Sequence, residues 1–307
     1  MTDQIAFPTP RDQPRDLDAY ALSGSFAVGG LTVHHVSDGL TFGNRRYWFN
    51  GIDPAAWMPP LGLIDPDTPF PVNFGLFVVI GGGAVTLVDC GFGPAIGELS
   101  GVRGGNQLLT RLAEIGIAPE QVDSIVLTHL HTDHCGQLVT ELPGGEVRVT
   151  FPNASVHIQA DELAYWTGTA ADDNPMSPYV RSRIMPVAAA DQVRTFGATA
   201  PVAPGVEAIA MPGHTAGHTV VRVSADGATC FLVGDLAHHP VHFCYHSWLP
   251  AIDADPPRSV RAREDLAQLA IAQDAVVTAP HMPILTLGRL ARNSGGQITW
   301  RRVEPER

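Results

Sequence analysis

Residues 124–136, SIVLTHLHTDHCG, restrict what this chain can fold into more than any other stretch. The segment opens with apolar residues over a length typical of a buried strand, and three histidines and one aspartate follow within positions 129–134. Imidazole nitrogen and carboxylate oxygen are ligands that zinc and similar divalent ions prefer. Because a catalytic ion usually takes three protein ligands, four candidates in one loop predict two ions that share it. A solvated histidine cluster is the alternative, and the preceding apolar strand argues against it.

Three later segments place further ligand-type residues at the ends of apolar strands. PGHTAGH, at 212–218, follows the strand-like GVEAIAM; FLVGD ends on Asp235; and VVTAPH ends on His281. We expect strand ends of this kind to converge when the strands share one sheet edge. The sequence therefore predicts a metal centre built from distant parts of the chain.

The hydrophobic pattern predicts an α/β fold in which two similar halves each contain strands, a helix and a histidine-bearing loop. Two such halves favour two sheets packed face to face with helices outside. We predict one domain over residues 31–307, preceded by an extended, proline-rich arm over 1–30, and a long loop over 167–186 that either covers a site or is plain surface. Predicted strands lie at 31–36, 73–80, 84–89, 124–129, 156–159, 205–211, 219–225, 228–235 and 275–280, and helices at 106–117 and 259–273.

Charge and composition limit the possible partners and the cellular location. The formal net charge of −12 disfavours nucleic acid and anionic membranes as partners. No apolar segment is long enough to span a bilayer, and the N-terminal residues lack the features of a secretory signal. The four cysteines show no CxxC spacing, so we expect free thiols and a cytoplasmic protein. The proline-rich arm and the aromatic residues make a homodimer an open possibility.

The combined motifs closely resemble those of the metallo-β-lactamase-fold hydrolases. The similar segments are THLHTDHCG at 128–136, PGHTAGH at 212–218, the pairs 234–235 and 280–281, and LVDCGFG at 87–93. The resemblance covers residues 31–283, and it implies an αβ/βα four-layer sandwich of two mixed β-sheets flanked by helices. It also implies two divalent ions, zinc foremost, with manganese, cobalt or iron as alternatives. The implied ligands are His129, His131 and His214 for one ion, Asp133, His134 and His281 for the other, and Asp235 as the bridge.

The residues after Asp235 indicate a branch within the family. True β-lactamases of this fold lack a bridging aspartate there, and lactonases of the acyl-homoserine type usually carry a tyrosine three positions later. Here His238 occupies that position, which resembles the methyl parathion hydrolase group of esterases, lactonases and phosphotriesterases. His238 is then expected to polarise the substrate carbonyl or to protonate the leaving oxygen, and a merely packed histidine is the alternative. We take Asp133 and His238 as the catalytic residues.

Several other residues are assigned supporting or structural roles. His218 is expected to support its loop, Asp89 to hydrogen-bond a ligand imidazole, and Cys135 to be a small buried neighbour of His134. We expect structural or surface roles for His239, His242 and His246. The aromatic residues either form a hydrophobic wall for substrate or belong to the core or a dimer interface: Trp48, Phe49, Trp57, Phe243, Tyr245 and Trp248.

The predicted function is a dinuclear metal-dependent hydrolase that cleaves a small ester, lactone or organophosphate with a hydroxide shared by the two ions. The predicted partner is thus a small-molecule substrate. A glyoxalase II-like thioesterase and a mononuclear-iron sulfur dioxygenase resemble the same ligand motifs and remain alternatives. A non-enzymatic metal-binding module is disfavoured, because structural zinc sites usually close four ligands around one ion.

Overall fold

The computed structural model describes residues 16–63, 65–93 and 102–305. The strands within these ranges are β1 (Ser23–Val28), β2 (Leu31–Gly43), β3 (Phe70–Gly81), β4 (Ala84–Val88), β5 (Arg103–Gly104), β6 (Ser124–Val126), β7 (Val139–Glu141), β8 (Val147–Val149), β9 (Ser155–Gln159), β10 (Val193–Phe196), β11 (Thr199–Ala203), β12 (Val206–Ala210), β13 (Thr219–Ala225), β14 (Ala228–Leu232), β15 (Val276–Thr278), β16 (Leu287–Arg292) and β17 (Ile298–Val303).

Seven α-helices lie in the same ranges: α1 (Arg45–Trp48), α2 (Pro54–Trp57), α3 (Leu108–Glu114), α4 (Thr132–Cys135), α5 (Ala160–Thr167), α6 (Ser177–Ala189) and α7 (Pro256–Ala272). Short 3-10 helices add Leu17–Ala19, Pro119–Gln121, Gly136–Leu138, Thr169–Ala171, Gly234–Leu236 and Pro240–Phe243. None of the helices in these ranges is both long enough and apolar enough to cross a membrane.

The strands form two large mixed sheets and one small hairpin. The first sheet has the order β1-β2-β3-β4-β6-β9-β10, with β5 paired to β2. The second has the order β11-β12-β13-β14-β15-β16-β17, and β7 pairs with β8 separately. The β3–β4 hairpin turns at Gly82 and Gly83, which have φ values of +62° and +81°, a backbone region that favours glycine.

The two sheets pack face to face, and the alternation of side chains along each strand explains the layers. In β3, Phe77 and Val79 belong to a buried cluster shared with Val221 and Leu232 of the second sheet. Val78, between them, points the other way into a cluster with residues of α3 and α6. Residues of α7 cover the outer face of the second sheet in a third cluster. Four layers result, which confirms the predicted αβ/βα sandwich.

Parallel strand pairs bring the ligand-bearing loops to one edge of the sandwich. In the first sheet β4 and β6 run parallel in the register Val88↔Val126, and in the second sheet β14 and β15 run parallel in the register Leu232↔Thr278. Because parallel strands end at the same sheet edge, the loops after all four lie together. These loops carry Asp89, the 129–134 segment, Asp235 and His281.

The predicted loop over 167–186 is wrong in its second half, which is helical. Helix α6 begins at Ser177 with a proline in its first turn, where the missing N–H costs no hydrogen bond. Val180, Ile184 and Val187 follow at helical spacing and are buried against the first sheet. Pro186 lies in the last turn. The two prolines concealed this helix from the sequence pattern.

The predicted arm over residues 1–30 lies in part outside the described residues, which begin at Asp16. Ser23–Val28 forms β1, paired with β2 over the register Ser23↔Val36 to Val28↔Leu31. Phe26 and Val28 enter the core between the two sheets. The first sheet therefore begins before the predicted boundary at residue 31.

Candidate metal centre

The first group of donor atoms comes from loops of both sheets. His129 Nε2 lies 2.9 Å from His131 Nδ1, and His131 Nδ1 lies 3.2 Å from His214 Nε2. His129 and His131 follow β6, whereas His214 lies between β12 and β13. Three imidazole nitrogens, two of them on residues 83 positions apart in sequence, thus face one point.

The second group lies beside the first and contains a carboxylate. His134 Nε2 is 3.4 Å from Asp133 Oδ2, and His281 Nε2 is 3.6 Å from the same oxygen. Asp133 and His134 lie on the short helix α4, directly after the first two histidines. One oxygen and two nitrogens therefore form a second potential ligand set.

Asp235 lies between the two groups and presents one oxygen to each. Its Oδ2 is 3.3 Å from His214 Nε2 and 3.8 Å from His129 Nε2. Its Oδ1 is 3.3 Å from His134 Nε2 and 3.1 Å from His281 Nε2. This is the position that a carboxylate bridging two ions would take. The structure thus brings together all seven predicted ligands.

Hydrogen bonds at the far side of the rings orient several of these histidines. Asp89 Oδ2 is 2.9 Å from His134 Nδ1, as predicted, and it also accepts from the backbone N–H of Thr128. The backbone oxygen of Asn73 lies 2.8 Å from His281 Nδ1. Acceptors of this kind fix the tautomer and leave the other ring nitrogen free to bind a metal. No sequence motif indicated this role for Asn73.

The backbone conformation of Asp89 is itself unusual. Its φ of +69° is uncommon for a residue other than glycine, and the conformation turns the carboxylate back toward the loop after β6. Thr128 donates both its N–H and its hydroxyl to Asp89. Such a position is retained only where the surroundings determine it, so the turn after β4 serves the orientation of His134.

The charges in the site balance one another under strong burial. Burial holds the pKa of His129 well below its ordinary value and lowers the pKa of His131 to about 3. Burial alone would raise the pKa of Asp235, but the neighbouring imidazoles, His281 foremost, hold it well below its ordinary value. Burial likewise opposes protonation of His134, yet nearby carboxylates, Asp133 first, raise its pKa well above the ordinary value. The carboxylates therefore favour positive charge at this point, supplied either by protons on His134 and His281 or by a bound cation.

Two buried polar atoms test whether these residues fit a metal. His134 Nε2 and Asp235 Oδ1 make no hydrogen bond, although they lie 3.3 Å apart, because they do not point along a hydrogen-bond direction. Leaving buried polar atoms unpaired costs about 1–3 kcal/mol each. Nitrogen and carboxylate donors that face a shared point suit zinc and similar ions. The residues present fit two divalent ions.

His238 also reaches the centre, from the short segment between the 3-10 helices Gly234–Leu236 and Pro240–Phe243. Its Nε2 lies 3.1 Å from Asp235 Oδ2, and its ring stacks parallel to that of His281 at a centroid distance of 5.1 Å. Trp48 also packs against the His238 ring, at a centroid distance of 4.2 Å. Burial lowers the pKa of His238 to about 4, with Asp235 opposing the shift, so the ring is neutral near pH 7. A narrow cleft beside it is lined by Phe70, Pro71, His238, His239, Pro240, His281, Met282, Pro283 and Thr286.

The aromatic residues divide between core and site. Trp48 contacts His238, as a wall residue would. Phe49, Trp57, Phe243 and Trp248 are buried in the cluster that α7 covers, and Tyr245 stacks on Trp248 at 4.0 Å. For Phe49, Trp57, Phe243 and Trp248 the core explanation holds, because these side chains are buried, whereas Tyr245 is only half-buried. Tyr47, next to Trp48, is 42% exposed.

The remaining histidines and cysteines mostly take structural positions. His218 was expected to support its loop; its Nδ1 lies 3.3 Å from the backbone oxygen of Met211, and its Nε2 accepts the backbone N–H of Asp235, so it joins that loop to the Asp235 segment. His239 and His242 are buried, and His246 is half-buried. All four cysteines are free thiols, and Cys135 is fully buried.

Sequence reasoning missed two buried carboxylates. Asp253 Oδ1 lies 2.8 Å from His214 Nδ1. Glu162, on α5, accepts hydrogen bonds from the backbone of both histidine loops. Each lies far along the chain from the residues it contacts and matches no motif. The one local signal for Glu162 is that an acidic residue stands at the start of α5, directly after β9.

Comparison with known proteins places these observations in a family. A profile described as the Metallo-beta-lactamase superfamily matches residues 67–280. The Metallo-beta-lactamase domain-containing protein 1 of Xenopus laevis is 26% identical over 215 residues, which cover 68% of this chain and 76% of that protein.

Solved structures share the fold over nearly the whole chain. The hydrolase AbOPH of the beta lactamase superfamily has a TM-score of 0.78 at 24% identity, covering 94% of this chain and 99% of its own. AidC, a dizinc quorum-quenching lactonase, has a TM-score of 0.76 at 20% identity, with coverages of 93% and 99%. A probable metal-dependent hydrolase from Staphylococcus aureus has a TM-score of 0.74 at 18% identity, with coverages of 91% and 99%. At these identities the likeness shows a common fold.

Proposed function

The chain belongs to the metallo-beta-lactamase superfamily, and from this premise we propose that it is a dinuclear metal-dependent hydrolase of small esters, lactones or organophosphates. The observation that carries the proposal is the position of Asp235, whose two oxygens face two separate sets of donor atoms. The chemistry that two divalent ions supply when bound is a water of lowered pKa and a polarised carbonyl or phosphoryl oxygen. No protein nucleophile is then needed.

We assign the ligand roles by the two groups. His129, His131 and His214 would hold one ion, and Asp133, His134 and His281 would hold the other, with zinc the foremost candidate. Asp235 would join them. Asp133 also lies at the more exposed side of the centre, with 16% of its side chain accessible, so solvent water can reach its carboxylate. This supports a catalytic role for Asp133 in addition to ligation.

His238 is proposed to act on the substrate at the same centre. The ring of His281 stacks on it at an interplanar angle of 2°, and the ring of Trp48 packs against it at 31°, which restricts the direction of Nε2. Nε2 lies 3.1 Å from Asp235 Oδ2 and so faces the centre. A neutral imidazole in this place can donate a hydrogen bond to a carbonyl or phosphoryl oxygen or to the leaving oxygen.

The surroundings support a small substrate of low charge. The cleft beside His238 is lined mainly by phenylalanine, proline and methionine, and apolar walls with a few polar groups are typical of small-molecule sites. The net charge of −12 disfavours anionic substrates by long-range repulsion. Among the structural relatives, one is described as a dizinc lactonase and another as a hydrolase, which agrees with this substrate class.

A substrate panel with measured metal content tests the proposal. Metal-loaded protein is assayed on lactones, aryl esters, phosphotriesters and thioesters, before and after removal of metal with a chelator. We expect turnover of a lactone, aryl ester or phosphotriester that disappears with the metal and returns with zinc. Unchanged turnover by metal-free protein, or turnover confined to thioesters, contradicts the proposal.

A further inference from the structure

Glu162 is a buried carboxylate at the point where the two halves of the sandwich meet. It lies in the first turn of α5, and only 1% of its surface is accessible. Gln159 caps the helix and accepts the backbone N–H of Glu162. Among the described residues Glu162 has no basic partner. Burying a carboxylate without a counter-ion is costly unless hydrogen bonds satisfy it.

Three N–H groups satisfy this carboxylate, and two of them belong to the histidine loops. Oε1 accepts from Leu130 N at 2.9 Å and from Trp166 Nε1 at 2.9 Å. Oε2 accepts from Gly217 N at 2.9 Å. Hydrogen bonds to a charged acceptor are stronger than those between neutral groups. Both carboxylate oxygens are therefore engaged, one by each loop.

The two backbone donors bracket the proposed ligands of the first group. Leu130 lies between His129 and His131 in the loop of the first sheet, and Gly217 lies three residues after His214 in the loop of the second sheet. Glu162 thereby joins the two loops that carry the three histidines of this group, and this connection is called the tie. The second group has no such tie to Glu162: Asp133 and His134 lie on α4, and His281 follows β15.

Close packing at Gly217 leaves little room for the two loops to move relative to Glu162. A Cβ at this position would overlap the side-chain oxygen of Gln159 and the backbone nitrogen of Glu162. One further hydrogen bond, from Thr219 N to Thr128 O at 2.8 Å, joins the same loops. The 3.2 Å separation between His131 Nδ1 and His214 Nε2 spans this junction.

We propose that Glu162 is a positioning residue that holds the two histidine loops in register and so sets the metal affinity of the His129, His131 and His214 group. The inference rests on the proposed function, because it assumes that this group binds an ion. Ligands held in place by outer hydrogen bonds bind metal more tightly, and loss of such a partner typically costs about 10- to 100-fold in affinity. In Glu162→Gln, one oxygen becomes an NH₂ group that faces an N–H donor, so one loop is released.

The test compares zinc affinities of three full-length proteins by competition with a chromophoric chelator. Glu207→Gln is the matched control, because Glu207 lies on β12 and pairs with Arg222 at 2.8 Å, away from the ligands. We expect Glu162→Gln to weaken one of the two zinc equivalents about 10- to 100-fold and to leave the other within error of wild type. The control is expected to retain both affinities.

Metal-free melting temperatures separate positioning from general destabilisation. Wild-type affinity for both equivalents in Glu162→Gln overturns the inference, and so does an equal loss of both that follows the loss of metal-free stability. If Glu162→Gln does not fold, Gly217→Ala tests the same tie from the other loop and is held to the same outcomes. Failure of the wild type to bind zinc removes the proposed function, whereas two intact equivalents in the variants remove this inference alone.

Discussion

His214 Nδ1 lies 2.8 Å from Asp253 Oδ1, and this contact connects the first donor group to the segment that precedes α7. Asp253 is buried, so its carboxylate is available to the imidazole and shielded from water. Because Asp253 accepts the Nδ1–H of His214, the lone pair on His214 Nε2 is free and is directed at His131 and Asp235. Asp89 and the backbone of Asn73 do the same for His134 and His281.

Asp253→Asn is expected to weaken zinc binding by about 10- to 100-fold, because a neutral amide is a poorer acceptor for the imidazole N–H. Metal content after dialysis against graded zinc measures the effect. Asp255→Asn, two residues away, is the control, since asparagine also serves well as the N-cap of α7. Equal zinc affinity in the two variants would show that Asp253 does not orient His214.

Substitution of Asp133 and substitution of Asp235 should have different effects on the number of bound ions. Asp133→Asn alters the second group alone, and we expect one ion to be retained and turnover to be lost. Asp235→Asn removes the carboxylate oxygen that faces one donor group and shifts the oxygen that faces the other group. We therefore expect neither ion to bind with wild-type affinity. Metal analysis beside turnover distinguishes the variants. Retention of two tightly bound ions by Asp235→Asn would rule out the bridge.

His238→Ala tests whether His238 acts on substrate or on metal. We expect kcat to fall about 10²- to 10⁴-fold, the usual contribution of a general acid, with metal content unchanged. His246→Ala is the control, because His246 is bonded to the Phe243 backbone and contacts none of the proposed ligands. Loss of an ion from His238→Ala would place this residue among the ligands instead.

Burial of His35 predicts a dependence of stability on pH in the metal-free protein. The ring is fully buried and burial lowers its pKa to about 3, while the unfolded chain titrates near 6.5. The unfolded state therefore binds more protons below pH 6.5, and stability is lost as pH falls toward 3. For this one group the loss between pH 7 and pH 5 is about 2 kcal/mol.

Urea unfolding of His35→Gln at both pH values measures this contribution. The glutamine retains an acceptor for the Asn73 side chain, and the variant should lose about 2 kcal/mol less than wild type between pH 7 and pH 5. His34→Gln, at the half-exposed neighbouring position, should follow the wild type much more closely. An identical pH slope in His35→Gln and wild type would mean that His35 titrates normally in the fold.

The residues that meet at the candidate centre were predictable because each lies in a loop after an apolar strand, and strand and loop are adjacent in sequence. Their hydrogen-bond partners were not, because they are distant in sequence: Asn73 lies 208 positions from His281, and Glu162 lies 55 from Gly217. Only the sheet order brings such pairs together.

Burial of aromatic residues was equally undetermined from sequence. Trp48 and Trp57 lie close together in sequence, each in a short helix. The Trp48 ring nevertheless packs against His238, whereas Trp57 is fully buried in the core. Which side chain reaches the site depends on how α1 and α2 dock against the second sheet, and no local pattern records that. Helix α6 was missed for a different reason, since its two prolines resemble loop signals.

Anomalous diffraction from a crystal of the zinc-loaded protein tests the central claim most directly. The account predicts two peaks, about 3.5–4 Å apart as in two-metal sites, one beside His129, His131 and His214 and the other beside Asp133, His134 and His281, with one oxygen of Asp235 on each. A single peak, or two peaks with Asp235 bound to only one of them, would contradict it.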